Sequence, residues 1–254
     1  FEDVQNELWR IQDQHALNIV QRFLHDKQVL IADGHHRYET ALAYRDYRRL
    51  KTPHHTGREL YNYVMMFFTN IEDEGLVIFP THRVVHSLER FETGEFLKKL
   101  EASFIIREFR EMTALHEGMN SSSAYAFGLA MQQLPMFYLL TLKPSLTLQE
   151  LIDDAIPDEV KKLDITVLHE LILKNLLGIS DAAQELKTNI EYVKDAQRAI
   201  EAVRGGSAQL VFLLNPTRIE QVRAVAKAGY TMPQKSTYFY PKLLSGLVIN
   251  KLDE

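Results

Sequence analysis

Cysteine is absent from all 254 residues. Its absence removes disulfides, thiolate nucleophiles and cysteine-held metal clusters, and with no secretion signal in view a cytoplasmic setting is the expectation. Long hydrophobic runs are lacking too: nothing approaches the ~20 apolar residues that cross a bilayer, so no membrane partner is expected. Positive charge is not in excess. A formal net charge of -5 and an isoelectric point of about 6.1 withhold the broad basic field that draws duplex nucleic acid, leaving only local patches. No internal repeat of roughly 20 to 50 residues and no low-complexity tract is present, which sets repeat architectures aside. What is there, 46% hydrophobic residues, suits a globular chain with one large core or two smaller ones.

The densest chemistry lies between Gln28 and Leu42. Branched apolar residues from Val29 to Ala32 predict a short strand, while Tyr38, Ala41 and Leu42 begin a helical spacing, so Asp33 to Arg37 falls at a strand-to-helix corner. There Gly34 lets a ligand approach the backbone, and the first helical amides attract an anion. Arg37 offers a planar fork for phosphate or carboxylate, and His35 and His36 can donate hydrogen bonds or titrate near neutrality. The plainer alternative makes Asp33 a helix cap, Gly34 a turn and the other three solvated side chains. Two imidazoles and a guanidinium crowded on one turn contribute no apolar burial, which favours a site. A phosphate-bearing ligand is the first expectation. A metal is the second, since Asp33, His35 and His36 include suitable ligand types, but adjacent histidines point apart on a helix and stoichiometric zinc is not expected.

The string Ile31-Ala-Asp-Gly-His-His-Arg-Tyr-Glu-Thr-Ala41 resembles the hallmark of a bacterial and archaeal family known as domain of unknown function 1015. Four further strings match in order: Pro80-Thr-His-Arg-Val-Val85, Leu163-Asp-Ile-Thr-Val-Leu-His169, Ala208-Gln-Leu-Val-Phe-Leu-Leu-Asn-Pro-Thr217 and Met232-Pro-Gln-Lys-Ser-Thr-Tyr-Phe-Tyr-Pro-Lys242. The family name carries no activity. The core Asp33-Gly-His-His-Arg37 is also similar to the phosphate-binding turn of the ParB and sulfiredoxin superfamily, which includes nucleotide-hydrolysing partition proteins, sulfinic-acid reductases and a free-serine kinase. By position, that similarity gives nucleotide phosphates to Gly34, His35, His36 and Arg37. Both resemblances imply sequence upstream of Phe1. The expectation is therefore an exposed sheet edge near Val29 to Ala32, covered by a missing N-terminal segment or a neighbouring chain.

Elsewhere, Ala16, Ile19, Val20, Phe23 and Leu24 mark one face of an early helix. The site helix is expected to end near Leu50, its cations from Arg45 to Lys51 answering the macrodipole. Thr52 to Gly57 read as a polar loop with His54 and His55 exposed. Leu60 to Thr69 and Leu76 to Val85 predict a hairpin around an acidic turn. Its second arm places Thr81 and Arg83 on one face and His82 and Val84 on the other, so that Arg83 either joins the anion site or decorates a half-exposed sheet.

A helix through Glu95 to Ala102, strands near Phe104 to Phe109, Ala124 to Ala130 and Phe137 to Leu142, and a turn at Ser121 to Ser123 follow. After Pro144 come helices at Leu146 to Ala155 and Asp164 to Leu177, where His169 and Glu170 read as structural. Next are a helix at Asp195 to Val203, a strand at Ala208 to Leu214, and an Asn215-Pro216 cap opening another helix. In the closing segment Lys235 supplies a point charge, Ser236 and Thr237 hydroxyls, and Tyr238 and Tyr240 stacking surfaces. No Gly-x-x-x-x-Gly-Lys frame precedes them, so this is not a P-loop.

These signals predict an α+β protein with a mixed sheet and packed helices, divided into a site-bearing region at 1–143 and a helix-rich region at 144–254. The expected ligand is a nucleotide or other phosphorylated small molecule. Gly34, His35, His36, Arg37, Thr81, Arg83, Lys235, Ser236 and Thr237 are the binding candidates, and Asp33, Glu39 and His36 the catalytic ones. Phosphoryl transfer or phosphoanhydride hydrolysis fits best, with Mg²⁺ accompanying a nucleotide. A non-catalytic regulatory module is the alternative, and a nucleic-acid-associated protein is disfavoured by the acidic balance.

Overall fold

A computed structural model describes residues 4–122, 125–244 and 246–252; Phe1 and parts of the expected turn and strand around Ser123 and Ala124 lie outside them. The chain divides into two units, Phe1–Val77 with Pro241–Glu254, and Ile78–Tyr240. The division differs from the expected one at 143/144, because strands from both sides of that point share one sheet.

That sheet belongs to the Ile78–Tyr240 unit. It uses β2 (His82–Val85), β3 (Phe104–Phe109), β4 (Ala126–Met131), β5 (Phe137–Leu142), β6 (Ile190–Val193) and β7 (Leu210–Leu213), preceded in the chain by β1 (Val77–Phe79). The order is β3-β5-β4-β7-β2-β6, and every pairing is antiparallel. Strand alternation sorts the side chains. Val85, Phe127, Leu129, Met131, Leu140, Leu210 and Phe212 enter one buried cluster, while Val84, Ala126, Ala130, Leu139, Val211 and Leu213 enter a second. Helices α3 (Thr93–Leu100), α7 (Asp164–Val167) and α10 (Ile219–Lys227) contribute to the first. Helices α4 (Met112–Asn120) and α9 (Ala196–Arg204) contribute to the second. The central strands β4 and β7 are buried throughout, which is why they read as nearly unbroken apolar runs.

Short helices α5 (Leu148–Leu151), α6 (Asp158–Lys161) and α8 (Asp181–Leu186) complete this unit, with β8 (Tyr238–Tyr240) paired to β1. The helix expected over Asp164 to Leu177 is interrupted: after α7, Leu168–Lys174 winds as a π-helix. The expected Asn215 cap does not form. Arg218 takes the N-cap position of α10 with Gln221, and the Asn215 amide donates instead to the Met119 carbonyl.

The other unit carries α1 (Gln14–Leu24) and α2 (His35–Lys51). Neither helix has a buried residue, and Ile19, Val20 and Phe23 on the expected apolar face of α1 are exposed. The strand expected at Val29 to Ala32 is irregular chain. The expected hairpin is also absent: Leu60–Asn62 is a 3-10 turn, the chain from Tyr63 to Thr69 is irregular, and the second arm splits at Pro80 into β1 and β2. Apolar, branched sequence favours extended backbone, but a strand exists only where its amides and carbonyls find a ladder. Proline supplies no donor at the split.

No helix among the described residues is long and apolar enough to cross a membrane.

Candidate functional site

Helix α2 starts from Gly34, whose φ of 86° is left-handed and which makes no side-chain capping bond. Asp33 is therefore not the cap. The Tyr38 amide donates to the Gly34 carbonyl at 3.0 Å, leaving the amides of His35, His36 and Arg37 at the open end of the helix. Arg37 folds back over this opening. A Cβ added at Gly34 would lie 2.8 Å from its Nη2, so glycine serves here both the left-handed backbone and the close approach of the guanidinium. Two cations converge on one carboxylate: Asp33 Oδ2 is 3.5 Å from Arg37 Nη2 and 3.3 Å from Lys242 Nζ.

These side chains are solvated, so the ion pairs hold the arrangement weakly and can exchange for a ligand. His36 Nδ1 stands 3.3 Å from Glu39 Oε2, and His35 is half-buried. Asp33 and Glu39, two of the catalytic candidates, are thus engaged by Arg37, Lys242 and His36. Among the described residues no three histidine or acidic side chains gather as a metal-binding group; Mg²⁺ would be held chiefly by the phosphates it arrives with.

His55 departs from the expected exposed loop. It is half-buried, 3.0 Å from the Tyr61 hydroxyl and 3.0 Å from Glu59 Oε2. The Thr56 amide, with the Thr56 hydroxyl and the Gly57 amide, holds the Glu59 carboxyl down to about 2.

The second candidate group lies in the Ile78–Tyr240 unit. Arg83 sits on β2 between β6 and β7 and is 0% exposed, so a half-exposed polar face is ruled out. Its guanidinium donates to the carbonyl of Thr81 and, at 2.9 Å, to that of Lys235. It also lies 5.0 Å over the Tyr192 ring. Among the described residues no carboxylate pairs with it, and burial, opposed only by Tyr192, lowers its pKa to about 9. Thr81, Arg83, Asp164, Asn215, Thr217 and Ser236 line one small cleft, with a cavity volume of ≈ 10 Å³.

The structure therefore brings Thr81, Arg83 and Ser236 together. Lys235 contributes its carbonyl while its side chain is exposed, and Thr237 is half-buried outside the cleft lining. Sequence reasoning missed Asp164, Asn215 and Thr217 as cleft residues. Their signal was present as polar interruptions at the ends of the apolar strings Leu163 to His169 and Ala208 to Thr217. Burial raises the Asp164 carboxyl, with Arg218 opposing. His169, on the π-helix, is held neutral chiefly by burial, with Arg83 and Lys174 adding to the effect. His82 faces the other side of the sheet, where its Nδ1 accepts from the Leu214 amide at 3.2 Å.

Comparison with solved structures finds a free serine kinase in complex with AMP, 15% identical over 90% of this chain and 81% of that chain, with a TM-score of 0.43. A variant of free serine kinase in complex with ADP is 16% identical over 83% of this chain and 66% of that chain, with a TM-score of 0.42. A conserved hypothetical protein from Pyrococcus furiosus is 16% identical over 83% of this chain and 69% of that chain, again with a TM-score of 0.42. Likeness at these scores transfers neither ligand nor activity. No curated protein matches the sequence. The family model described as "Protein of unknown function (DUF1015)" matches residues 1–166, about two thirds of the sequence, and the chain belongs to that family.

Proposed function

We propose that this protein binds a nucleotide or another phosphorylated small molecule at the start of α2, in a cytoplasmic setting. The observation that carries the reading is the uncapped first turn lying under Arg37: three amides, the positive end of a helix dipole and a guanidinium share one small volume. A phosphate carries more charge than the Asp33 carboxylate and takes over Arg37 and Lys242 while accepting from the amides. The resemblance of Asp33 to Arg37 to the ParB and sulfiredoxin phosphate turn accords with this. With a phosphoanhydride held there, Arg37 and the amides would neutralise developing charge, and Asp33, Glu39 or His36 would orient the acceptor, which makes phosphoryl transfer or hydrolysis the fitting reaction. The exposed Val29 and Leu30 would receive a covering segment or a neighbouring chain on which activity depends.

Calorimetric titration with a panel of nucleotides and phosphorylated metabolites tests the reading. Binding is expected to weaken by at least about tenfold in Arg37→Ala, the loss of roughly 1.5 kcal/mol for one charged hydrogen bond. Unchanged affinity in that variant overturns it. Turnover of the bound compound separates an enzyme from a regulatory module.

A further inference from the structure

Among the described residues, the buried side-chain atoms without a hydrogen-bond partner are Arg83 Nε, Thr166 Oγ1, His169 Nε2 and Ser236 Oγ. They are not scattered. Arg83 and Ser236 line the same cleft, at 0% and 6% exposure; Thr166 is the next residue after the cleft-lining segment Leu163 to Ile165, and the His169 imidazole feels the charge of Arg83. Folded proteins pair nearly all such groups, so a concentration of orphans in one place calls for a missing partner. A buried guanidinium with no carboxylate is the costliest member of the set.

Orphan donors on a serine hydroxyl and a guanidinium call for an acceptor, and the uncompensated positive charge calls for a negative one. We infer that this cleft is an anion site, complete within the Ile78–Tyr240 unit, that takes a compact oxyanion, the carboxylate or phosphate group of a small molecule, on Arg83 and Ser236. It uses no residue of the α2 turn and does not rest on the function proposed there.

The turn from Pro233 to Ser236 explains how the oxyanion enters a cleft that as it stands has room for about one water molecule. Its carbonyls at Lys235 and Ser236 now accept from Arg83 and from the Thr217 hydroxyl, at 2.9 Å each. A charged oxyanion is the stronger acceptor for both donors and displaces those carbonyls. Lys235 holds a left-handed φ of 56°, a conformation costly for a side-chain-bearing residue, so the turn gains by relaxing when its carbonyls are released. Asp164, the one carboxyl lining the cleft, has its charged form disfavoured by burial and so opposes an anion less than a solvated aspartate would.

Inorganic phosphate and acetate, titrated separately into the whole protein and followed by NMR, distinguish the two oxyanion sources. At least one is expected to shift resonances of the Thr81–Arg83 and Lys235–Thr237 segments, with the affinity read from those resonances falling about tenfold in Ser236→Ala. A crystal soaked in selenate is expected to show an anomalous peak within hydrogen-bond distance of Arg83 and Ser236. Failure of both anions to bind at tens of millimolar, binding indifferent to Ser236→Ala, or a lone water in the cleft of the soaked crystal would each overturn the inference. Because those resonances and Ser236→Ala read this cleft, while Arg37→Ala tests the α2 turn, failure of one site is distinguishable from failure of the other.

Discussion

Gly34 and Arg37 occupy one another's space, which makes the pair sensitive to a single methyl group. Gly34→Ala forces a side chain into left-handed backbone and against the guanidinium, so it is expected to cost about 1 kcal/mol of stability and to displace Arg37. Urea unfolding measures the first effect and ligand titration the second. Full affinity in the alanine variant would show that Arg37 does not need its present position.

His82 provides a test of a different kind. Burial first, then Arg83 and His116, lowers its pKa from 6.5 to about 4, so the folded protein keeps a neutral imidazole where the unfolded chain takes a proton. Stability is therefore full above about pH 6.5 and falls as the pH drops towards 4, by about 3 kcal/mol for this group at ~1.4 kcal/mol per unit. His169 acts in the same direction. In His82→Gln, which keeps an acceptor for the Leu214 amide without titrating, the decline between pH 6.5 and 4 is expected to be shallower. Parallel stability profiles would remove His82 from the account.

Among the elements, packing of α4 on the sheet depends on Gly128 of β4. A Cβ there would lie 3.0 Å from Leu115 Cδ2 and Met119 Sδ and 3.1 Å from Leu213 Cβ, so the bare backbone lets the helix settle. Gly128→Val is expected to cost about 1–3 kcal/mol through overpacking, read as a lower denaturation midpoint. Strands β4, β5 and β7 were legible because each is a mostly apolar run of strand length, and β3 because Phe104, Ile105, Ile106 and Phe109 dominate one. Strand β6 was not: Ile-Glu-Tyr-Val is short and half-polar, as an edge strand can be, and only pairing with β2 makes it a strand. Helix α4 has just Leu115 and Met119 buried, too few to declare a period. The π-helix around His169 escapes any spacing argument, since one extra residue per hydrogen-bonded ring leaves the apolar stripe nearly unchanged.

At the scale of the whole molecule, burial is divided unevenly. Among the described residues, Tyr61 is the one buried apolar residue of the unit Phe1–Val77 with Pro241–Glu254, and the rest belong to Ile78–Tyr240. Local opening is cheapest where few apolar contacts must break, so hydrogen exchange is expected to protect β4 and β7 most and α1 and α2 least. Equal protection of α2 and β7 would mean that the first unit is held by contacts beyond those described.

By itself the sequence determined the α+β class, the apolar strands of the core, the glycine turn at the start of α2 and the residue types an anion would meet there. All are local: strand alternation, helical spacing and the backbone freedom of glycine act within a few residues. The tertiary structure alone decided the order β3-β5-β4-β7-β2-β6, which inserts a strand from near residue 210 between two that precede residue 143. It also decided the environment of Arg83, which its neighbours in sequence leave undefined. Tyr192, Asp164 and Ser236 reach that guanidinium's surroundings from distant parts of the chain, and only their assembly turns a strand arginine into a buried charge without a counterion.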